Sequence, residues 1–201
     1  MTARKRGRPP RDQEGVSPEE MISAALVILD VDGTEALTMR ALARSLGVNP
    51  MTIYHHFGDR DGLIRALSER VYTGVAAPAE GSVTTRLEGL LLAYHSQVVR
   101  HPGLTLAIFA RPSVFPSQAK RITEDVRTLL REYGLPPSRS ELWLSILVDF
   151  THGAAIATAI SRRSENDGGA TASAGTNDYA RALAELLGRA LLTATPHETQ
   201  E

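Results

Sequence analysis

The chain has 201 residues, of which 42% are hydrophobic and 22% charged, with a formal net charge of −1 and no cysteine. That length suits one or two globular domains, and the missing thiols exclude disulfides, thiolate metal sites and a Cys nucleophile. A near-neutral total confines any affinity for a polyanion to a local face. No apolar signal core opens the sequence, and no apolar run is expected to reach the roughly 20 residues of a membrane span. The longest run, Leu142 to Ile160, is interrupted by Ser145, Asp149, Thr151 and His152. A cytoplasmic protein with no membrane partner is the expectation.

In chain order, the first feature is charge. Arg4, Lys5, Arg6, Arg8 and Arg11 precede the first acid, whereas acids gather between Asp12 and Glu20 and in the C-terminal helices. Residues 1–16 read as a basic disordered arm. Its R-G-R-P core resembles an AT-hook, an extended segment suited to a narrow A·T minor groove whose potential attracts Arg. The alternative is a solubilising tail.

Strand signals are nearly absent and helical periodicity recurs, which predicts an all-α fold. The first predicted helix runs from Pro18 to about Val31. Ser17 and Glu20 are spaced as a capping box, and Ile22, Ala25, Leu26 and Leu29 face inward. From Thr38 to Arg60 the chain reads T-M-R-A-L-A-R-S-L-G-V-N-P-M-T-I-Y-H-H-F-G-D-R, two short helices around a tight turn. Thr38 is an N-cap, and Leu42, Ala43 and Leu46 form an apolar stripe. Gly47 ends the helix in a left-handed conformation and Val48 plugs the corner. Asn49 caps the second helix, with Pro50 at its first position, where no donor is lost. Outward on that helix lie Met51, Thr52, Tyr54, His55 and His56, short or flat groups that can meet phosphates and base edges. Tyr54 and His55 could instead pack against the next helix, which starts at Asp59 or Asp61 and runs through Val71. This is the layout of a helix-turn-helix whose second helix enters a DNA major groove.

The segment LTMRALARSLGVNPMTIYHHFGDRDGLIRAL resembles the DNA-binding domain of TetR/AcrR-family transcriptional regulators, over Ser17 to about Val71. The L-G-V turn, the T-I-Y-x-H-F recognition helix and the D-x-L-I-x-A-L exit helix fall in order and at matching spacing. The resemblance implies DNA contacts from Thr38, Arg40, Met51, Thr52, Tyr54, His56 and Arg60, the last standing where the family usually has Lys. It further implies a three-helix DNA-binding domain over 17–76 and a helical regulatory and dimerisation domain over 77–201. The function implied is a repressor that a small-molecule effector releases from a pseudo-palindromic operator.

Beyond a breaker cluster at Ala77–Ser82, helices are predicted at Thr84–Arg100, Gly103–Ala110, Ser117–Tyr133, Arg139–Arg162 and Asp178–Leu192. A Gly/Ser/Thr-rich loop from Ser164 to Thr176 precedes the last of them. Two half-sites roughly 34 Å or a multiple apart require a dimer. Leu142, Trp143, Leu144, Ile146, Leu147, Val148 and Phe150 leave hardly any polar face, and Leu183, Leu186, Leu187, Ala190 and Leu191 form a stripe. Both helices are expected at a homodimer seam, with ordinary monomer core as the alternative. Small residues from Gly153 to Ala159 would permit close approach.

The resemblance also implies a cavity for the effector. Tyr94, His95, Phe109, Phe115, Trp143, Phe150 and His152 are the aromatic and polar residues that could line it, though each could equally be core. Asp149 and His152 share a helix face, either as a pair at the dimer seam or as one orienting a ligand. No nucleophile elbow, metal-ligand spacing or phosphate-cradling loop occurs, and His95 and His101 lack nearby carboxylates. No catalytic residue, metal or cofactor is expected. The rival readings are an all-α small-molecule-binding protein with an incidental helix-turn-helix, and an architectural DNA-binding protein acting through the arm.

Overall fold

The computed structural model describes residues 15–111, 114–166 and 174–192, among which every regular element is an α-helix. In order these are α1 (Pro18–Asp32), α2 (Met39–Ser45), α3 (Pro50–Phe57), α4 (Arg60–Tyr72), α5 (Val83–Arg100), α6 (Pro102–Phe109), α7 (Ser117–Glu132), α8 (Pro137–Asn166) and α9 (Ala174–Leu192). Local chemistry sets the first four. Ser17 Oγ accepts from Glu20 N at 3.2 Å while the Glu20 carboxylate accepts from Ser17 N at 2.7 Å, closing a capping box. Thr38 Oγ1 accepts from Ala41 N at 3.0 Å and Asn49 Oδ1 from Met51 N at 2.9 Å. Between those caps Gly47 takes φ +67°, open to glycine at little cost, and Val48 N–H returns to the Ala43 carbonyl at 3.0 Å.

The inward face of α1 is Met21, Ala25, Ile28 and Leu29, with Ile22 and Leu26 half-buried. Ala25 and Leu29 are buried as expected, while the centre of the face is turned toward Met21 and Ile28, which leaves Ile22 and Leu26 at its edge. These side chains meet Leu42, Ile53, Leu63, Ile64 and Leu67, all fully buried, and that core runs on without a break into α5, α6, α7, α8 and α9. It crosses the position, 76/77, at which the sequence suggests a division.

Two contacts tie the front of the molecule to the rear. Arg121 of α7 donates to the carbonyls of Tyr72 (3.3 Å) and Val75 (2.7 Å), capping the end of α4. At the start of α6, Gly103 lies so close to α1 that a β-carbon there would stand 2.3 Å from the Leu29 carbonyl oxygen. Beside it Asp30 accepts from His101 Nδ1 at 2.8 Å and from Gly103 N at 3.3 Å, so His101, contrary to the sequence expectation, does have a carboxylate neighbour, brought in from α1.

The rear helices depart from expectation in detail. α8 and α9 are longer than predicted, and of the Ser164–Thr176 stretch only residues 167–173 fall outside the described ones. Within Pro137–Arg163 of α8, an 18-residue stretch has a mean hydropathy of 1.4, so length and composition there would permit a membrane crossing, contrary to the sequence expectation. Packing against α5, α7 and α9 accounts for part of that apolarity, since Leu144, Leu147, Thr151, Ala155 and Ala159 are buried there, while more than half of the stretch is not. In α9 the stripe expected at a dimer seam is instead this chain's own core, since Leu183, Leu187 and Ala190 are buried and Leu186 half-buried. The side chain of Leu191 lies outside the described residues. What α8 turns outward includes Leu142, Ile146, Gly153, Ala157 and Ile160, with Asp149 exposed among them on the same face.

Candidate functional site

α3 is held by one fully buried residue, Ile53, with Phe57 half-buried behind it. A helix anchored so narrowly leaves the rest of its circumference to solvent. Met51 is 68% exposed and Tyr54 40% exposed, His55 and His56 are also exposed, and Thr52 is half-buried. Tyr54 and His55 thus point away from α4. Thr38 and Arg40 are exposed beside them at the start of α2, and Arg44, not anticipated, follows Arg40 by four residues on the same helical face. Neither arginine forms an ion pair among the described residues. Arg60 differs from expectation. It is half-buried and its Nη2 donates to the Thr34 carbonyl, so part of the guanidinium fastens α4 to the loop after α1. Arg4, Lys5, Arg6 and Arg8 lie outside the described residues.

Behind this domain lies a partly open cavity of about 330 Å³ lined by α4, α5, α6, α7 and α8 and by Phe115 of the segment before α7. Tyr94, Phe109, Phe115 and His152 line it as expected. Trp143 and Phe150 do not, which corrects the sequence expectation. On α8 the cavity is lined by Leu144, Ser145, Val148, Asp149 and His152, one helical face, and positions 143 and 150 project from the opposite one. Phe150 stacks on Tyr179 with centroids 5.5 Å apart, and His95 stacks on the same ring at 3.9 Å, away from the cavity. Burial, aided by the charge of Arg162, lowers the His95 pKa to about 4.

The polar groups of the cavity are few, and two pairs of them are hydrogen-bonded. His152 Nε2 and Tyr94 Oη are hydrogen-bonded at 2.6 Å, and burial lowers the His152 pKa against the opposing pull of the Asp149 charge. Asp149 and His152 both line the cavity, and Asp149 is at the same time exposed on the outer side of α8. Burial also raises the phenol pKa values, that of Tyr72 to about 12 and that of Tyr94 further still, so both remain protonated. Tyr72 was missed because, at the end of an apolar stripe in α4, it reads as core. Its hydroxyl lies 3.1 Å from Thr105 Oγ1 of α6, both groups buried, so one residue belongs at once to the cavity wall and to the exit helix of the helix-turn-helix. Asp61 at the other end of α4 pairs with Arg111 at 2.7 Å. Among the described residues no group of three His, Cys, Asp or Glu side chains could hold a metal ion.

Residues 21–67 match the family model described as bacterial regulatory proteins, tetR family. The chain is 27% identical over 173 residues to the HTH-type transcriptional repressor DrrR1 of Streptomyces coeruleorubidus, covering 85% of this chain and 63% of that protein. It is 28% identical to the class E tetracycline repressor protein of Escherichia coli, over 76% of this chain and 73% of that one. The chain thus spans about two thirds of the length of these relatives. In fold it is similar to BioQ of Mycobacterium smegmatis, with a TM-score of 0.73 at 24% identity over 89% of this chain and 99% of BioQ. A structure of BioQ with its natural double-stranded DNA operator gives a TM-score of 0.69 at 20% identity, over 88% of this chain and 99% of that one.

Proposed function

The chain belongs to the tetR family of bacterial regulatory proteins, and from that premise we propose a homodimeric transcriptional repressor that leaves its operator when a small molecule fills the cavity. The observation that carries this reading is Tyr72, shared by the cavity wall and by α4. A ligand can release DNA only by binding a non-DNA-binding arrangement better, and DNA must then weaken ligand binding equally. Pressure on Tyr72 and Thr105 from within the cavity gives α4 a means to shift, and with it the spacing of two α3 helices in a dimer. Residues 17–76 carry the DNA contacts and 77–201 the regulation and dimerisation. The outward face of α8, with Leu142, Ile146, Gly153, Ala157 and Ile160, supplies the seam, joined by α9. The protein is a cytoplasmic non-enzyme in this reading. Relatives named as repressors support it, as does a fold shared with a protein crystallised on its operator.

The DNA face divides into positioning and reading groups. Tyr54 and His56 fix α3 on phosphates, whereas Met51 and Thr52 lie near bases. Tyr54→Ala should weaken binding to every duplex by a similar factor, about tenfold or more. Thr52→Ala should instead reorder preferences among duplexes, by about 1–3 kcal/mol at one base pair. Fluorescence anisotropy with a panel of single-base variants separates the two. A uniform loss from Thr52→Ala would remove Thr52 from the reading face.

The arm adds an electrostatic contact in the minor groove. Removing residues 1–11 deletes Arg4, Lys5, Arg6, Arg8 and Arg11. The slope of log affinity against log salt should become shallower by about 0.9 for each phosphate that these side chains no longer neutralise. Titrations between about 0.05 and 0.2 M salt read that slope directly. An unchanged slope and affinity would make the arm a passive tail.

A further inference from the structure

The polar groups of the cavity define a class of ligand. Asp149 is the acid among its lining residues, and no Lys or Arg lines it. That carboxylate forms no ion pair among the described residues. His152, one turn away on α8, does not neutralise it, because burial disfavours the imidazolium and the ring is already hydrogen-bonded to Tyr94. Around these groups stand aromatic rings. Phe109 meets His152 edge-on at 4.8 Å, Tyr94 meets it at 5.4 Å, and Tyr72 lies 5.5 Å from Tyr94. Aliphatic side chains such as Leu91, Ile122 and Val126 make up most of the rest of the wall, together with Thr105, Thr123 and Ser145.

An unpaired carboxylate at the edge of an aromatic and aliphatic chamber is poor surroundings for an anion and indifferent to a neutral molecule. It attracts a cation by its own charge, and neighbouring aromatic rings tolerate a cation better than aliphatic walls do. A fixed charge beside an apolar chamber also requires a molecule with both parts. We propose that the effector is a small lipophilic amine, whose ammonium group sits at Asp149 and whose apolar body occupies the chamber between Tyr72, Phe109 and Val126. A volume of about 330 Å³, filled at the density of protein interiors, accommodates a body on the order of 15 non-hydrogen atoms. Phe109 and Phe115, each about half exposed, stand where such a molecule would enter. The proposal rests on the reading of this cavity as the effector site.

Isothermal titration of the full chain with 4-phenylbutylamine, 4-phenylbutan-1-ol and 4-phenylbutanoate tests it with three matched probes. The amine should bind about tenfold more tightly than the alcohol, and the carboxylate most weakly. Asp149→Asn, an isosteric change at an exposed position, should bring the amine to the level of the alcohol. Asp149→Glu should keep the amine preference, and Phe109→Ala should weaken the amine in an otherwise native background. Equal affinities, tighter binding of the carboxylate, an amine preference that survives Asp149→Asn, or no binding of any probe would each overturn the proposal. DNA affinity of the same preparations, measured without probes, keeps the two readings apart. Specific DNA binding with the wrong probe order removes the ligand class alone, whereas absence of specific DNA binding removes the regulator.

Discussion

Acidification from pH 7 to pH 4 is expected to remove about 3 kcal/mol of folding stability through His95 alone. Burial is the main cause. His95 is 1% exposed, its Nε2 has no hydrogen-bond partner, and its ring is stacked at 3.9 Å and 9° on Tyr179, whose hydroxyl is bonded to Thr151 at 2.8 Å. The charge of Arg162 pushes in the same direction, and together they lower the pKa from 6.5 to about 4. Between those values the unfolded chain holds a proton that the folded chain refuses. Stability is therefore complete above pH 6.5 and declines as the pH falls towards 4. Carboxylates titrate near the lower end as well, so the informative quantity is the difference from His95→Phe, which keeps a stacking ring and removes the titrating nitrogen. Urea unfolding at intervals across this range should show the variant gaining on the native chain by about 1.4 kcal/mol per pH unit in the middle of the window. A difference that stays constant would mean that His95 takes up its proton alike in both states.

Gly103→Ala should be the most damaging single-methyl change on the α1–α6 contact, costing about 2–3 kcal/mol. The added carbon would stand 2.3 Å from the Leu29 carbonyl oxygen and 2.7 Å from its carbon, and backbone atoms cannot step aside as a flexible side chain does. Either α6 lifts from α1, breaking the Asp30 bonds to His101 and Gly103, or α1 bends. Because α1 packs on α2 and α4, specific DNA affinity should fall together with thermal stability. Gly74→Ala is the control, since nothing lies within 4 Å of a β-carbon there, and it should be nearly neutral. Equal unfolding midpoints for the two variants would show that the α1–α6 approach relaxes without strain.

The helix-turn-helix was legible because its determinants are local. Caps at Thr38 and Asn49, the turn at Gly47 and the first-turn Pro50 all act within a few residues, and the outward set on α3 follows from the single inward Ile53. The cavity was only half legible. Its wall is assembled from five helices, and a helix as uniformly apolar as α8 carries no polar face from which to set its phase. Trp143 and Phe150 were misplaced for that reason, whereas Tyr94, Phe109 and His152 fell on the cavity side. The α9 stripe shows a second limit. A clear i, i+3, i+4 pattern identifies a buried face but not whether the cover comes from the same chain or another, and Leu183 and Leu187 are covered by their own protomer. Arg60 illustrates a third, since sequence gives the charge but not the Thr34 carbonyl that partly occupies it.

A repressor of this kind requires the exposed face of α3 to read a particular DNA sequence. The most direct test of that requirement is the ratio of affinities, at about 0.15 M salt, for the best duplex recovered by selection and for random duplex of equal length. A specific regulator should prefer the selected duplex by a factor of about 1,000 or more, and that duplex should be pseudo-palindromic. Equal affinity for the two would contradict the account, leaving a protein that holds DNA by charge alone.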